Sequence, residues 1–311
     1  IGIQPRWSAK TKKEMRKRSE IDPDKFASLV VDDEPKYEHN YKSEYRGRVQ
    51  NRQVETSYLP MFQLSYFPNT QNVSGVQAFD KAVEDLNQQL STLASGTSAS
   101  GSKAAAAKGK TSDKVYIVCS KEQLDENGSM KIFSLIDKLS AELSVAKDIE
   151  QKKLILMRRA IAHSVLRDFE AAISDFTYYI SLDDKNALAY WQRAVCQAEM
   201  DEFNKAEGKG VVTIHSAEAD FSDAIRLNSS NAYIYYNRGN LHAGRNELSK
   251  AIDDYTIALK IDNRLAEAYY NRGIARAKSG NRQAGIQDLS KAGELGLYDA
   301  YSVIKRLNKA K

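Results

Sequence analysis

Large and small residues recur at fixed places through the second half of the chain, in registers that begin at Lys153, Ala187, Ala232 and Ala266. The period is 34 residues for the first and third steps and 45 for the second, an excess of 11. The fourth position of each unit is large (Leu156, Tyr190, Tyr235, Tyr269) and the eighth is small (Ala160, Ala194, Gly239, Gly273). The twenty-fourth, counted past the excess, is large again: Phe176, Phe221, Tyr255 and Leu289. Ala172, Ala251 and Gly285 supply a second small position. Small residues opposite large ones let two helices approach and interdigitate, so the pattern predicts an array of helix hairpins, not a chain with one central core. Beyond the fourth unit Ala300, Val303, Ile304 and Leu307 form an apolar stripe at helical spacing. It suits a helix that caps the last hydrophobic face.

The first half follows another rhythm. Tyr45 to Phe67 reads as extended, with Val54, Thr56 and Tyr58 alternating, then Phe62, Leu64 and Tyr66, and Pro60 between the two sets. Val76, Phe79, Val83, Leu86 and Leu90 mark an amphipathic helix. Ser95 to Ser112 is a Ser/Gly/Ala/Lys tract too polar to bury a core, and reads as a disordered linker. Val115-Tyr116-Ile117-Val118 has the look of a buried strand. Asn127-Gly128 then turns the chain into a helix over 129–148, marked by Ile132, Leu135, Ile136, Leu139 and Leu143. These pieces suggest a small α+β unit packed on the first repeat.

The large–small–aromatic–small framework resembles the tetratricopeptide repeat (TPR) family over about half of the chain. The usual proline at the end of each unit is missing, its place taken by Asp184, Ser229, Asn263 and Leu297. The resemblance implies a mainly α fold: a TPR-type α-solenoid of four helix hairpins plus a capping helix, preceded by a small α+β or irregular N-terminal region. The expected division is an extended basic arm over 1–43, the α+β region over 44–148 with its linker at 95–112, and the array over 149–311. Its units are 153–186, 187–231, 232–265 and 266–299. Two positions add a charge pattern. Arg159, Arg193, Arg238 and Arg272 fall at position seven; Asp175, Asp220, Asp254 and Asp288 fall at position twenty-three, on the facing helix. Four such coincidences predict ion pairs that fix the register of each hairpin. A basic stripe for phosphate is the weaker reading, because each Arg has its own acid nearby.

The second unit departs from the rest. Asp201 to Ala206 matches the usual turn and start of a second helix, with Phe203 as the usual aromatic, and residues 207–216 then intervene. Two glycines and a β-branched run are poor helix interior, and Ser216 suits an N-cap for the helix that resumes. The insertion is read either as a binding loop or as neutral length variation.

Composition narrows the chemistry. All five prolines lie in the first 68 residues, and the first 18 residues hold seven Lys or Arg against one Glu, while the whole chain carries only +5. The arm is followed by Glu20, Asp22 and Asp24, which favours a solvated arm over a nucleic-acid tail. Cys119 and Cys196 lack CxxC spacing, and His39, His163, His215 and His242 are scattered, so no metal site, cofactor or disulfide framework is expected. No P-loop, GxGxxG, GxSxG or apolar run of ~18 residues occurs, so neither a catalytic motif nor a membrane span is expected. Ile1-Gly2 opens the chain without Met, which suggests part of a longer or processed polypeptide.

In TPR proteins the first helices of successive units line a groove. Carried over by register, the resemblance implies partner contacts at Trp191, Gln192, Tyr233, Tyr236, Asn237, Asn240, Tyr270 and Asn271, with Tyr301 continuing the row. Rings supply area and amides pair with main chain, which suits an extended peptide; position-five aromatics serve equally well as packing between helices. Met157, Trp191, Tyr236 and Tyr270 stand where the family's carboxylate clamp would place a lysine, so that activity is not expected. In the first unit Leu154, Met157, Ile161 and Val165 are apolar and are expected to lie under the 129–148 helix. The favoured function is a non-catalytic protein–protein scaffold within a larger assembly, acting through the groove, the arm or both. The alternatives are a docking module for an enzyme whose catalytic part lies in 44–148 or upstream, and nucleic-acid binding through the arm. Similar repeats occur in cell-envelope proteins of Gram-negative bacteria, which points to periplasm or outer membrane, with cytoplasm as the alternative.

Overall fold

The computed structural model describes residues 57–66, 115–118, 126–206, 208 and 217–309. All of them belong to one compact unit, Thr56–Lys311. Strands β1 (Gln63–Tyr66) and β2 (Val115–Val118) are followed by α1 (Glu126–Val145), α2 (Ile149–Val165), α3 (Phe169–Leu182), α4 (Ala187–Ala206) and α5 (Ala217–Leu227). Then come α6 (Ala232–Gly244), α7 (Leu248–Ile261), α8 (Ala266–Lys278), α9 (Arg282–Glu294) and α10 (Asp299–Lys309). The arm, Val54, Thr56, the 76–90 helix, the 95–112 linker, Cys119 and Ser216 lie outside the described residues.

Helices α2/α3, α4/α5, α6/α7 and α8/α9 form four hairpins, each packed on the next, and α1 and α10 flank them. Close approach inside a hairpin depends on the small eighth position. A Cβ on Gly239 would lie 2.7 Å from the Tyr255 ring, and one on Gly273 would lie 2.9 Å from Leu289 Cγ. Asp148, Asp168, Asn231 and Asn281 cap α2, α3, α6 and α9 by accepting from main-chain N–H groups of the first turn. The capping stripe behaves as expected: Ala300 and Val303 are buried with Tyr270, Ile274, Leu289 and Ala292.

In three units the turn passes through a left-handed residue at the same, fifteenth, place: Arg167 (φ 63°), Asn246 (φ 62°) and Gly280 (φ 94°). In the second unit that place is Asp201, and the expected turn is absent. The helix α4 continues through Ala206, leaving Phe203 about half exposed. Nothing from Met200 to Ala206 breaks a helix, and the next left-handed residue is Gly208 (φ 69°). The length excess is thus partly helix. Asn127 and Gly128 also differ from expectation, since both lie within the first turn of α1.

β1 and β2 pair antiparallel, with Leu64 opposite Ile117 and Tyr66 opposite Val115. Helix α1 packs on α2, where Leu139, Ala146 and Ile155 form a small cluster. It does not cover the first unit alone, because β1 also packs against α2 and α4. Met157 and Ile161 are buried in the same cluster as Phe62, Leu64 and Tyr66. No described helix is long and apolar enough to cross a membrane.

Candidate functional site

The sixth position of a unit sits on the inner side of its first helix, and in units two to four it is Gln192, Asn237 and Asn271. A carboxamide carries an acceptor and two donors, the complement of one residue's main chain. The structure uses them that way. Asn271 Oδ1 accepts from Leu59 N–H at 2.8 Å, and its Nδ2 lies 3.1 Å from the Leu59 carbonyl. Asn237 Oδ1 accepts from Phe62 N–H at 2.9 Å while its Nδ2 donates to the Phe62 carbonyl at 2.7 Å. Gln192 Oε1 accepts from Leu64 N–H at 2.9 Å. Residues 57–66 thus fill the groove in extended form. Their direction is opposite to the repeat order: Leu59 on the fourth unit, Phe62 on the third, Leu64 on the second.

Neighbouring side chains complete the grip. Tyr236 Oη donates to the Pro60 carbonyl at 3.0 Å, and Asn240 Nδ2 donates to the Leu59 carbonyl at 3.1 Å. Asn240 Oδ1 is held by Tyr255 Oη at 2.7 Å and by Asn271 Nδ2 at 2.8 Å, which fixes the amide orientations. The Phe62 ring meets Tyr233 edge-on at 4.6 Å and Tyr236 at 5.1 Å. Trp191 is fully buried in the main core. Tyr270 is buried in the C-terminal cluster, against which Tyr58 and Leu59 also pack. Tyr301 stands apart from this set: it is half exposed and lies against Gly293 of α9.

Burial along the segment is graded. Ser57 is exposed, Tyr58 to Met61 are half-buried, and Phe62 and Leu64 to Tyr66 are buried. The Tyr58 hydroxyl is buried without a hydrogen-bond partner, and loss of solvent pushes its pKa up to about 12. Lys278 Nζ lies 4.5 Å above its ring.

The charged ladder lies between the two helices of each hairpin. Arg159, Arg193, Arg238 and Arg272 each donate through Nε and Nη2 to Asp175, Asp220, Asp254 and Asp288 at 2.6–2.8 Å. Arg193, Arg238 and Arg272 lie 5.5–5.8 Å from the rings of the fourth-position tyrosines. Arg159, Arg193 and Arg272 also reach back through Nη1 to Ser140, Thr177 and Thr256 on the preceding helix. Each of these three therefore ties its hairpin shut and ties it to the element before it. The Asp175 carboxylate holds the Arg159 pKa above its ordinary value, as Asp254 does for Arg238.

Sequence reasoning selected the groove amides but not their occupant. The available signal was a run of alternating apolar residues interrupted by Pro60, within a chain that also carries an amide at the sixth place of three units.

A family model described as TPR repeat matches residues 244–280, spanning α7 and α8. The described array is an α-solenoid of four helix hairpins, and the match covers part of its third and fourth hairpins. No curated protein matches the chain by sequence. Among solved structures, MamA is 22% identical, with a TM-score of 0.46 over 57% of this chain and 98% of its own. MamA 41-end from Desulfovibrio magneticus RS-1 is 17% identical, with a TM-score of 0.45 over 54% of this chain and 91% of its own. YrrB, described as a TPR protein with an unusual peptide-binding site, is 17% identical, with a TM-score of 0.41 over 55% of this chain and 84% of its own.

Proposed function

We propose that the protein is a non-catalytic protein–protein interaction scaffold, a subunit that holds extended polypeptide on a rigid repeat array. The observation that carries this reading is the main-chain grip. Asn271, Asn237, Gln192, Tyr236 and Asn240 bond to the backbone of residues 59–64 and not to its side chains. Such a face recognises chain conformation first and sequence second, as strand-binding modules do. The arginines that could have formed a phosphate stripe on the array are each engaged by an Asp.

The test is purification of the intact protein from its native cells with bound chains identified, beside a variant lacking residues 1–43. A partner recovered in fixed ratio with both proteins supports the array as the holding surface. Loss of the partner with the truncation assigns the interface to the arm. Recovery of a lone chain that turns over a small-molecule substrate would overturn the scaffold reading.

A further inference from the structure

We propose that the turn between α7 and α8 carries a socket for the side-chain ammonium of a partner's lysine, formed by the carboxylates of Asp262 and Glu267. This rests on the scaffold reading and names one chemical feature of the partner chain. The thirty-first place of each unit, counted past the excess in unit two, is Asp183, Asn228, Asp262 and Gly296. In units one and three this residue ends the second helix in extended conformation. Its Oδ1 accepts a main-chain N–H from two residues on: Lys185 to Asp183 at 3.1 Å, and Arg264 to Asp262 at 2.9 Å. The two aspartates are thus set in the same local frame, which leaves Oδ2 of each for another donor.

Unit one fills that place and unit three does not. Lys153, at the first position of unit one, brings Nζ to 3.1 Å from Asp183 Oδ2. At the first position of unit three stands Ala232, whose methyl offers no donor. Asp262 Oδ2 is buried without a hydrogen-bond partner, in a residue only 8% exposed. Units two and four do not pose the problem, because Asn228 is uncharged and exposed and Gly296 has no side chain. A carboxylate oxygen out of water and without a donor carries a cost that a cation at this point would remove.

The surroundings fit such a cation. Glu267, on the first turn of α8, is half-buried, and burial together with the Asp262 charge holds its pKa above the ordinary value. The corresponding residue beside the filled site, second in unit two, is Leu188. Arg264 supplies a main-chain N–H to Asp262 and is itself exposed. Two carboxylates offer fewer oxygens than a divalent metal takes from a protein cage. Among the described residues no three His, Cys, Asp or Glu side chains are grouped to hold one. An ammonium on a flexible stem is satisfied by two carboxylates. Lys153 shows this chemistry at the equivalent place, where it sits between Asp183 at 3.1 Å and Glu150 at 2.8 Å.

The experiment follows the side-chain carboxyl carbons of the full chain by nuclear magnetic resonance at neutral pH. The probe is N-acetyl-lysine methylamide, and the same molecule acetylated on Nζ is the uncharged control. Asp262 Cγ and Glu267 Cδ should shift together and saturate with the probe, and stay still with the control. Asp183 Cγ, already paired with Lys153, should not respond. Ala232→Lys places an ammonium in the socket in cis and should weaken the response about tenfold or more, whereas Ala232→Met should leave it unchanged. Asp262→Asn should abolish the Glu267 response, and decides the matter if Ala232→Lys does not fold. n-Butylammonium tests the other source of the same chemistry: saturation at a far lower concentration than the lysine probe would make the ligand a free amine and not a side chain. That result would overturn the proposal. So would no shift at Asp262, an equal shift at Asp183, a response to the acetylated control, a response that Ala232→Lys leaves intact, or magnesium or calcium moving both carbons ahead of the probe. If a partner co-purifies while the probe leaves Asp262 unmoved, the scaffold stands and the socket falls. A saturating probe response in a chain that purifies alone keeps the ammonium site and removes the scaffold.

Discussion

Two ladders run through the array at the same period and do opposite things. The Arg–Asp ladder joins the two helices of one hairpin, with both partners inside the repeat, 16 residues apart in three units and 27 in the second. The amide ladder joins units two to four to a segment 128–212 residues away that does not repeat at all. The first kind of contact copies itself each time the unit is copied, so it sets hairpin geometry and is indifferent to what lies in the groove. The second exists only because one stretch of 10 residues matches three successive units at once. Repetition makes the frame; a single unrepeated strand makes the contents.

The sharpest way to break the comparison is inside the first ladder, where burial differs between units. Arg193 and Asp220 have side chains 7% and 4% exposed, whereas Arg238 is 22% exposed against 5% for Asp254. Asp220→Leu strands an arginine that cannot reach water and should cost about 3–5 kcal/mol. Asp254→Leu leaves an arginine whose stem can slide outward, and should cost about 1–3 kcal/mol. Chemical denaturation of both variants checks the order. Equal losses would mean that solvent reaches both arginines alike.

Next in size is a cut in the second ladder. Asn237→Leu deprives the Phe62 N–H and carbonyl of their partners in a buried setting, at ~1–3 kcal/mol for each stranded group. The total should be about 2–4 kcal/mol, capped by the free energy of docking the segment, because the strand can detach while the hairpins persist. Far-ultraviolet circular dichroism should therefore change little while the Phe62 amide loses exchange protection. Global unfolding at the same midpoint for both signals would show that the strand and the hairpins form one cooperative unit.

How far each ladder could be read from the sequence follows from the same contrast. The register of Arg238 and Asp254 is visible because Arg159/Asp175 and Arg272/Asp288 state it again. Asn237 and Asn271 were legible as main-chain readers, since a carboxamide at a groove position has few other uses. What they hold was not legible, because a partner 175 or 212 residues distant has no periodic trace. The extension of α4 was hidden for a local reason. Asp201 occupies a turn position where Arg167 and Asn246 take the left-handed conformation without being glycine. Its residue type therefore gave no sign that the helix runs on to Ala206, and the motif around Phe203 looked like a second helix. Tyr301 continued the sequence row but packs on Gly293, because α10 is a single cap and not the first helix of a further hairpin.

The smallest expected effect concerns Tyr58, at the half-buried start of the strand. Tyr58 is pushed up to about 12 by burial, from an ordinary 10.0. The unfolded chain gives up this proton near the ordinary value while the folded chain keeps it. From there upward the unfolded state binds fewer protons, and stability falls as pH rises until the folded value is passed. Tyr58→Phe removes this titration and keeps the ring that lies beneath Lys278. It also removes a buried hydroxyl without a partner, so at pH 8 the variant should match the parent to within about 1 kcal/mol. Denaturant midpoints taken from pH 8 to about 11 should then diverge, the parent declining more steeply. Tyr255 is also held well above its ordinary value, by burial first and then by the neighbouring Tyr58. Tyr58→Phe therefore relieves part of that shift too, which adds to the steeper decline of the parent. Parallel curves would mean that Tyr58 already leaves the groove before its phenol ionises, so that the folded chain loses the proton as readily as the unfolded one. Diverging curves would show Tyr58 seated in the groove up to that pH.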